Sequence, residues 1–247
     1  RSNDLVIIGS GPAGMAAAVE ARALGMTVSV LDEQPAIGGQ IYRRVEDAPK
    51  ALQMILGKDY GAGRVLAEEF RLSGAAHIPG ATVWNLTEDG VIDYVDAGGT
   101  RTISATNVLI ATGAMERPFP ISGWTLPGVM GAGAAQIMLK SAGALPAGPV
   151  VLAGCGPLLY LLAWQYLRAG VKLAGLVDTT RFSTYVTALG KVHGAVTGRK
   201  DLVKGLGLIS RVRLGRVPIY SGASGLEILG EDHAEGIRFR HKGKSRE

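Results

Sequence analysis

Two glycine-rich turns, 145 positions apart, carry the residues of this 247-residue chain best suited to chemistry. The first is Leu5-Val-Ile-Ile-Gly9-Ser-Gly11-Pro-Ala-Gly14, and the second is Val150-Val-Leu-Ala-Gly154-Cys-Gly156-Pro-Leu-Leu159. Each follows an apolar run and precedes a helical pattern that leads to a second apolar run ending in an acid, Asp32-Glu33 or Asp178. The chemistry this spacing suits is binding of a pyrophosphate. Gly9 lets the chain turn tightly out of a strand, Gly11 lets backbone N–H groups approach the phosphates, and Gly14 lets the helix lie close on the sheet. The helix then aims its unpaired N–H groups and positive dipole end at the anion. An acid at the end of the next strand accepts hydrogen bonds from ribose hydroxyls. The usual distance favours Asp32 in that role, whereas the 145-residue offset pairs Glu33 with Asp178; we take Asp32.

The elements that must position these residues follow from periodicity. Gly14, Ala17, Ala18 and Ala21 fall at i, i+3, i+4 and i+7, a flat helical face for close packing. After the first unit comes Gly38-Gly39-Gln40, and residues 50–75 read as helix. Thr82–Leu86, Val91–Val95 and Thr100–Ile103 read as short antiparallel strands with turns at 88–90 and 97–99. Asn107–Gly113 is a returning apolar strand ending in a glycine turn, and Pro118 to Gly128 form a stiff crossover bearing Trp124, a residue suited to hinge packing. The second unit spans 148–178, helical pattern returns around 184–208, and runs at 217–220, 226–229 and 236–240 suggest a further meander. The expected fold class is α/β. It comprises two Rossmann-like dinucleotide-binding domains, 1–118 and 119–247, each a parallel sheet with helices plus a short antiparallel β-meander.

Composition narrows the functional classes. A single cysteine, Cys155, excludes an internal disulfide or a CxxC motif, and its turn position suits a small buried packing residue. His77, His193, His233 and His241 lack the spacing of a metal site or triad and read as surface or loop residues, so no metal is expected. No catalytic acid, base or nucleophile stands out, as expected where a cofactor does the chemistry. Residues 1–180 carry a net −2 and residues 181–247 a net +7. Without aromatic interleaving, the basic end reads as a solvated face, and no nucleic-acid partner is expected. The uncharged stretch between Lys140 and Arg168 contains Pro146, Pro149, Pro157 and the glycine turn, so it reads as a buried βα unit rather than a membrane span. The N-terminus shows no signal-peptide pattern, which favours a cytoplasmic location.

With Gly9-Ser-Gly11-Pro-Ala-Gly14, Gly38-Gly39-Gln40 and Ile110-Ala111-Thr112-Gly113 in hand, the chain resembles two-dinucleotide-domain flavoproteins of the glutathione reductase and thioredoxin reductase superfamily. A narrower resemblance rests on Asp32-Glu-Gln-Pro-Ala-Ile-Gly-Gly-Gln-Ile-Tyr-Arg43 and Gly123-Trp-Thr-Leu-Pro-Gly-Val-Met-Gly-Ala-Gly-Ala-Ala-Gln136. These stretches look like α (A) subunits of heteromeric opine oxidases, hydrogen cyanide synthases, and proline and hydroxyproline dehydrogenases. The resemblance implies an FAD-dependent oxidoreductase subunit relaying electrons from an amine-oxidase-like flavoprotein β subunit. It implies FAD contacts at Gly9, Gly11, Pro12, Ala13, Gly14, Asp32, Glu33, Gln34, Gly39, Gln40, Thr82, Val83, Ala111, Thr112 and Gly113. A second adenine nucleotide, NAD rather than NADP, is expected at Gly154, Gly156, Pro157, Leu158 and Asp178, unless that pocket is empty or altered. Lack of a cysteine pair beside Gln40 sets disulfide reduction aside. The superfamily's return to the FAD domain is missing after the second meander, which implies a fragment or a naturally short subunit with weakened flavin affinity. Alternatives are a stand-alone NADH-dependent flavin reductase and a non-catalytic nucleotide-bound scaffold.

Overall fold

The computed structural model describes residues 3–181, 183, 184, 187 and 198–247, in two compact units, Arg1–Met115 and Glu116–Glu247. In the first unit, β1 (Asn3–Ile8), α1 (Pro12–Ala23) and β2 (Val28–Asp32) form a βαβ turn with parallel strands. Val6 and Ile7 are fully buried and all of β2 is buried, as strands sandwiched between layers require. Pro12 opens α1, where its missing N–H costs nothing. Gly14, Ala18 and Ala21 are buried on the sheet side of α1, with Ala17 half-buried beside them, so the small-residue face forms as its spacing predicts.

Three short helices follow where one helical region was expected: α2 (Lys50–Leu56), α3 (Lys58–Gly61) and α4 (Gly63–Leu72). The break lies at Gly57, whose φ of 90° cannot continue a helix. Next come β3 (Ala76–Pro79), β4 (Thr82–Leu86), β5 (Val91–Asp96) and β6 (Gly99–Ile110). The six-stranded sheet has the order β3-β2-β1-β6-β5-β4. Residues 100–103 and 107–110, expected as separate strands, are one twelve-residue strand. The first part of β6 pairs antiparallel with β5 and the last part parallel with β1, so one strand serves both the meander and the nucleotide sheet. Val6, Leu31, Ile92 and Tyr94 share one core across that junction.

β3 also corrects the reading of His77 as a surface or loop residue. Its ring is half-buried in a strand, edge-on to Phe70 at 5.9 Å between centroids, and its Nε2 is buried without a hydrogen-bond partner. Burial, helped by the nearby Arg71 guanidinium, holds this imidazole below its ordinary value. The neutral ring suits the folded state, so its stabilising effect is complete above about pH 6.5 and is lost as pH falls from there towards the lowered folded value. Urea titrations of wild type and His77→Gln between about pH 7 and pH 5 should show a flatter pH dependence for the variant. Equal slopes would contradict this placement.

In the second unit, α5 (Ala132–Ala142) precedes a βαβ turn of β7 (Val150–Gly154), α6 (Pro157–Arg168) and β8 (Leu173–Asp178). α7 (Arg199–Leu214) and β9 (Ile219–Ser221) follow, then β10 (Ser224–Leu229), β11 (Gly236–His241) and β12 (Lys244–Arg246). The helical pattern expected around 184–208 lies partly outside the described residues, and α7 carries it on to Leu214.

The parallel sheet runs β7-β8-β9 and the antiparallel one β10-β11-β12. The 217–220 run, expected in the meander, instead pairs parallel with β8: Leu176 with Ile219 and Val177 with Tyr220. Buried Val217 and the Leu176 N–H bond to the Pro218 carbonyl (2.9 Å) commit it to the nucleotide sheet. The proline-rich crossover docks on β10 of its own unit: Ile228 N–H donates to Ser122 (2.8 Å), and Gly123 at φ 77° leaves no room for a Cβ against the Ile228 carbonyl. Trp124 there is 42% exposed. No helix among the described residues is long and apolar enough to cross a membrane.

Candidate nucleotide-binding sites

The first cradle is assembled from segments far apart in sequence. Gly9, at φ 107°, leaves β1 where Ala111 N–H donates to the Ile8 carbonyl (2.8 Å). A Cβ on Gly9 would collide with the Ala111 carbonyl and crowd Thr112 Cα, so Ala111-Thr112 lies directly against this turn and Gly113 follows it in the chain. A Cβ on Gly14 would strike the Gly9 carbonyl, which is how the helix comes to rest against the turn. Gly38 N–H donates to the Ser10 carbonyl (2.9 Å), and a Cβ on Gly39 would sit 2.9 Å from Gly11 Cα. The Gly38-Gly39 turn is thereby pressed onto the glycine-rich one, with Gln40 exposed just beyond it.

Gly11 behaves differently from these neighbours. It caps α1 with φ −69° and ψ −178°, a conformation open to any residue, and an added Cβ would meet only Gly39 Cα at 3.9 Å. Nothing in the packing of the chain requires glycine here. With Pro12 and Ala13, Gly11 forms the start of α1, the place in this unit that could hold the diphosphate of a dinucleotide.

At the strand end, Asp32 is buried and its carboxylate is engaged. Oδ2 accepts the Ser10 N–H and the Ser10 hydroxyl, both at 2.6 Å, while Oδ1 accepts the Gln34 N–H at 2.7 Å. Three of roughly four lone-pair directions are thus occupied, so a ribose hydroxyl would share or displace one of these donors. Glu33 is exposed and accepts from Gln34 Nε2 at 3.2 Å. Thr82 and Val83 begin β4 immediately after Ala81, whose N–H donates to the Asp32 carbonyl (2.8 Å), so they flank the acid. Ser10, which closes on the strand-end acid, was not singled out in sequence. Ser10 is fully buried, and the cue available was a hydroxyl residue inside the turn, facing a strand-end acid.

The second cradle repeats the plan with changes. Asp178 is buried; Oδ1 accepts the Thr180 N–H (2.8 Å) and Oδ2 the Tyr160 hydroxyl (2.7 Å). Its carbonyl accepts the Ala223 N–H (3.0 Å), two residues past its β9 partner Ser221, as Ala81 lies two past Pro79. The structural counterpart of Asp178 is therefore Asp32, and the offset here is 146 rather than 145. A register shift between Val150 and Val151, paired with Leu173 and Gly175, inserts the extra residue as a bulge in β8.

Gly154 (φ 148°) has positive φ as Gly9 does, whereas Gly156 (φ 88°) departs from Gly11, and a Cβ on either would meet nothing within 4 Å. Leu159, in place of a third glycine, is buried, while Pro157 and Leu158 open α6 on the exposed side. Cys155 is exposed, which corrects the expectation of a buried packing residue; it occupies the place of Ser10 but points no thiol into a core. His233 is exposed, His241 packs edge-on to Tyr220, and His193 lies outside the described residues. Among the described residues no cluster of His, Cys, Asp and Glu could hold a metal.

Comparison with known proteins agrees with this geometry. The profile of the family described as "Pyridine nucleotide-disulphide oxidoreductase" matches residues 3–187. The A subunit of opine oxidase from Agrobacterium tumefaciens is 48% identical over 244 residues, covering 96% of this chain and 48% of the relative. Hydrogen cyanide synthase subunit HcnB of Pseudomonas aeruginosa is 32% identical over 237 residues, covering 92% of this chain and 48% of the relative. The chain thus spans about half the length of the curated relatives it matches. The thioredoxin reductase of T. acidophilum superimposes with a TM-score of 0.62 at 17% identity, covering 100% of this chain and 73% of that one. L-proline dehydrogenase from P. horikoshii superimposes with a TM-score of 0.56 at 21% identity, covering 73% and 36%. At such identities the structural likeness is one of fold. The resemblance read from Gly9 to Gly14, Gly38 to Gln40 and Ile110 to Gly113 is borne out: this chain belongs to the pyridine nucleotide-disulphide oxidoreductase family.

Proposed function

We propose that this chain is the nucleotide-binding part of an FAD-dependent oxidoreductase subunit, of the α (A) type found in heteromeric amino-acid or opine oxidases and dehydrogenases. The observation that carries the proposal is Gly11: it is glycine without a packing or conformational reason, above the turn where Gly9, Gly14 and Gly39 are glycine for steric ones. In this reading the N–H groups at the start of α1 bind the diphosphate, with the helix dipole behind them. Asp32 orients the ribose, Thr82 and Val83 flank the adenine, and Ala111 to Gly113 lie along the flavin side. FAD, when bound, supplies the electron-accepting chemistry for which no side chain here is a candidate. Identity of 48% with the A subunit of an opine oxidase, over 96% of the chain, supports an amine- or opine-linked role. The partner in that role is an amine-oxidising flavoprotein that passes electrons on.

A second reading, a stand-alone NADH-dependent flavin reductase, is favoured by the positive φ of Gly154 and Gly156 and the strand-end Asp178. One set of spectra separates the two. Protein reconstituted with FAD should absorb near about 450 nm and bleach anaerobically with an opine only when the partner subunit is added. Bleaching by NADH alone would favour the reductase. Protein left colourless by FAD would overturn both.

A further inference from the structure

We propose that Arg43 supplies the counter-charge for the diphosphate of the adenine nucleotide held in the first cradle. The proposal rests on reading that cradle as a nucleotide site, and it adds a residue that the glycine fingerprint does not contain.

Arg43 is half-buried, and among the described residues its side chain donates one hydrogen bond, from Nη1 to the neutral amide oxygen of Gln34 (2.6 Å). Its Nε is buried without a partner. The other described arginines of this unit have partners. Arg44 pairs with Asp47 at 2.9 Å, Arg71 with Glu46 at 3.0 Å and Arg101 with Asp96 at 2.9 Å. Arg22 and Arg64, with no carboxylate, donate to backbone carbonyls instead. A partly desolvated guanidinium with an orphaned donor and no anion is costly, and an anionic ligand removes that cost.

The position of Arg43 suits a diphosphate. It ends the short loop that begins with Gly38-Gly39 against Gly11, and Tyr42 N–H closes that loop on the Gly38 carbonyl (2.9 Å). The Tyr60 hydroxyl holds the Arg43 carbonyl at 2.7 Å; burial pushes Tyr60 up to about 12, so it stays a donor throughout the physiological range. At its other end the side chain is tied to Gln34, whose N–H caps Asp32. Arg43 therefore joins the turn bordering the phosphates to the residue beside the ribose acid. The chemistry it would recognise is the ADP group shared by FAD and free ADP, with a guanidinium able to offer paired donors to phosphate oxygens.

Calorimetric titration of the protein with ADP, FAD and riboflavin tests this. Arg43→Gln should weaken ADP and FAD by about tenfold or more, flatten the rise of Kd with salt, and leave any riboflavin binding unchanged. Arg43→Lys, which keeps the charge but not the paired donors, should recover part of the affinity. Equal loss for ADP and FAD fits recognition of the shared diphosphate; loss for FAD alone would overturn that assignment. ADP affinity within about twofold of wild type in Arg43→Gln, or a Lys variant as weak as the Gln variant, would overturn the role of charge. Wild-type ADP binding indifferent to Gly11→Val would instead remove the cradle reading, and the proposal with it.

Discussion

Gly11→Val should leave the first unit folded and remove its nucleotide. The valine Cβ enters at φ −69° with no neighbour closer than 3.9 Å, so loss of the better helix cap, about 1 kcal/mol, is the main cost expected. Its two methyl groups, however, occupy the space through which backbone amides reach the phosphates, and FAD affinity should fall on the order of 100-fold or more. Urea unfolding followed by circular dichroism, beside calorimetric titration with FAD, checks both halves. A variant that unfolds, or one that binds FAD as tightly as wild type, would contradict the assignment of that space to a ligand.

Gly14→Ala should do the opposite, damaging the fold first. The added methyl runs into the Gly9 carbonyl and lies 3.3 Å from Ile7 Cγ2, two positions that the sheet and the helix fix from either side. Alanine is the better helix former by about 1 kcal/mol, but overpacking against backbone outweighs that gain, and a net loss of about 3 kcal/mol is expected. The denaturant midpoint should drop accordingly, with nucleotide lost as a consequence. A variant as stable as wild type would mean that α1 does not rest on the turn as described. The two glycines lie three residues apart in the same fingerprint, so opposite outcomes separate a ligand-shaped space from a packing-shaped one.

Much of the fold was legible because the residues that make it are unusual. A turn needing φ near 107° at Gly9 and a helix with no room for a Cβ at Gly14 leave glycines that can be read directly. β1, α1, β2 and their second copies β7, α6 and β8 accordingly lie where the spacing puts them. What was not legible depends on contacts between distant segments. β6 reads as two strands because its pairing changes partner and direction midway, an event in neighbours rather than in its own residues. β9 is short, follows a proline, and joins the parallel sheet only because β8 offers it an edge.

The site divides in the same way. The glycines and the strand-end acid were readable, but the choice between Asp32 and Glu33 as counterpart of Asp178 turned on one bulged residue in β8, which shifts the offset between the copies. Ser10 was missed because its contact with Asp32 is made only by folding, and the contact of Arg43 with Gln34, on which the proposal for Arg43 draws, is equally invisible in sequence. Cys155 shows the converse: it occupies the place of Ser10, yet Asp178 takes its hydroxyl donor from Tyr160, and the thiol is left exposed. The two cradles share their order of elements and differ in the backbone at Gly11 and Gly156 and in which side chains close them.

A crystal structure of the protein grown with FAD tests the central claim most directly. The account predicts diphosphate oxygens within hydrogen-bonding distance of the backbone N–H groups of Gly11, Ala13 and Gly14, with the adenosine ribose against Asp32. FAD bound elsewhere, with that cradle empty at saturating cofactor, would contradict it.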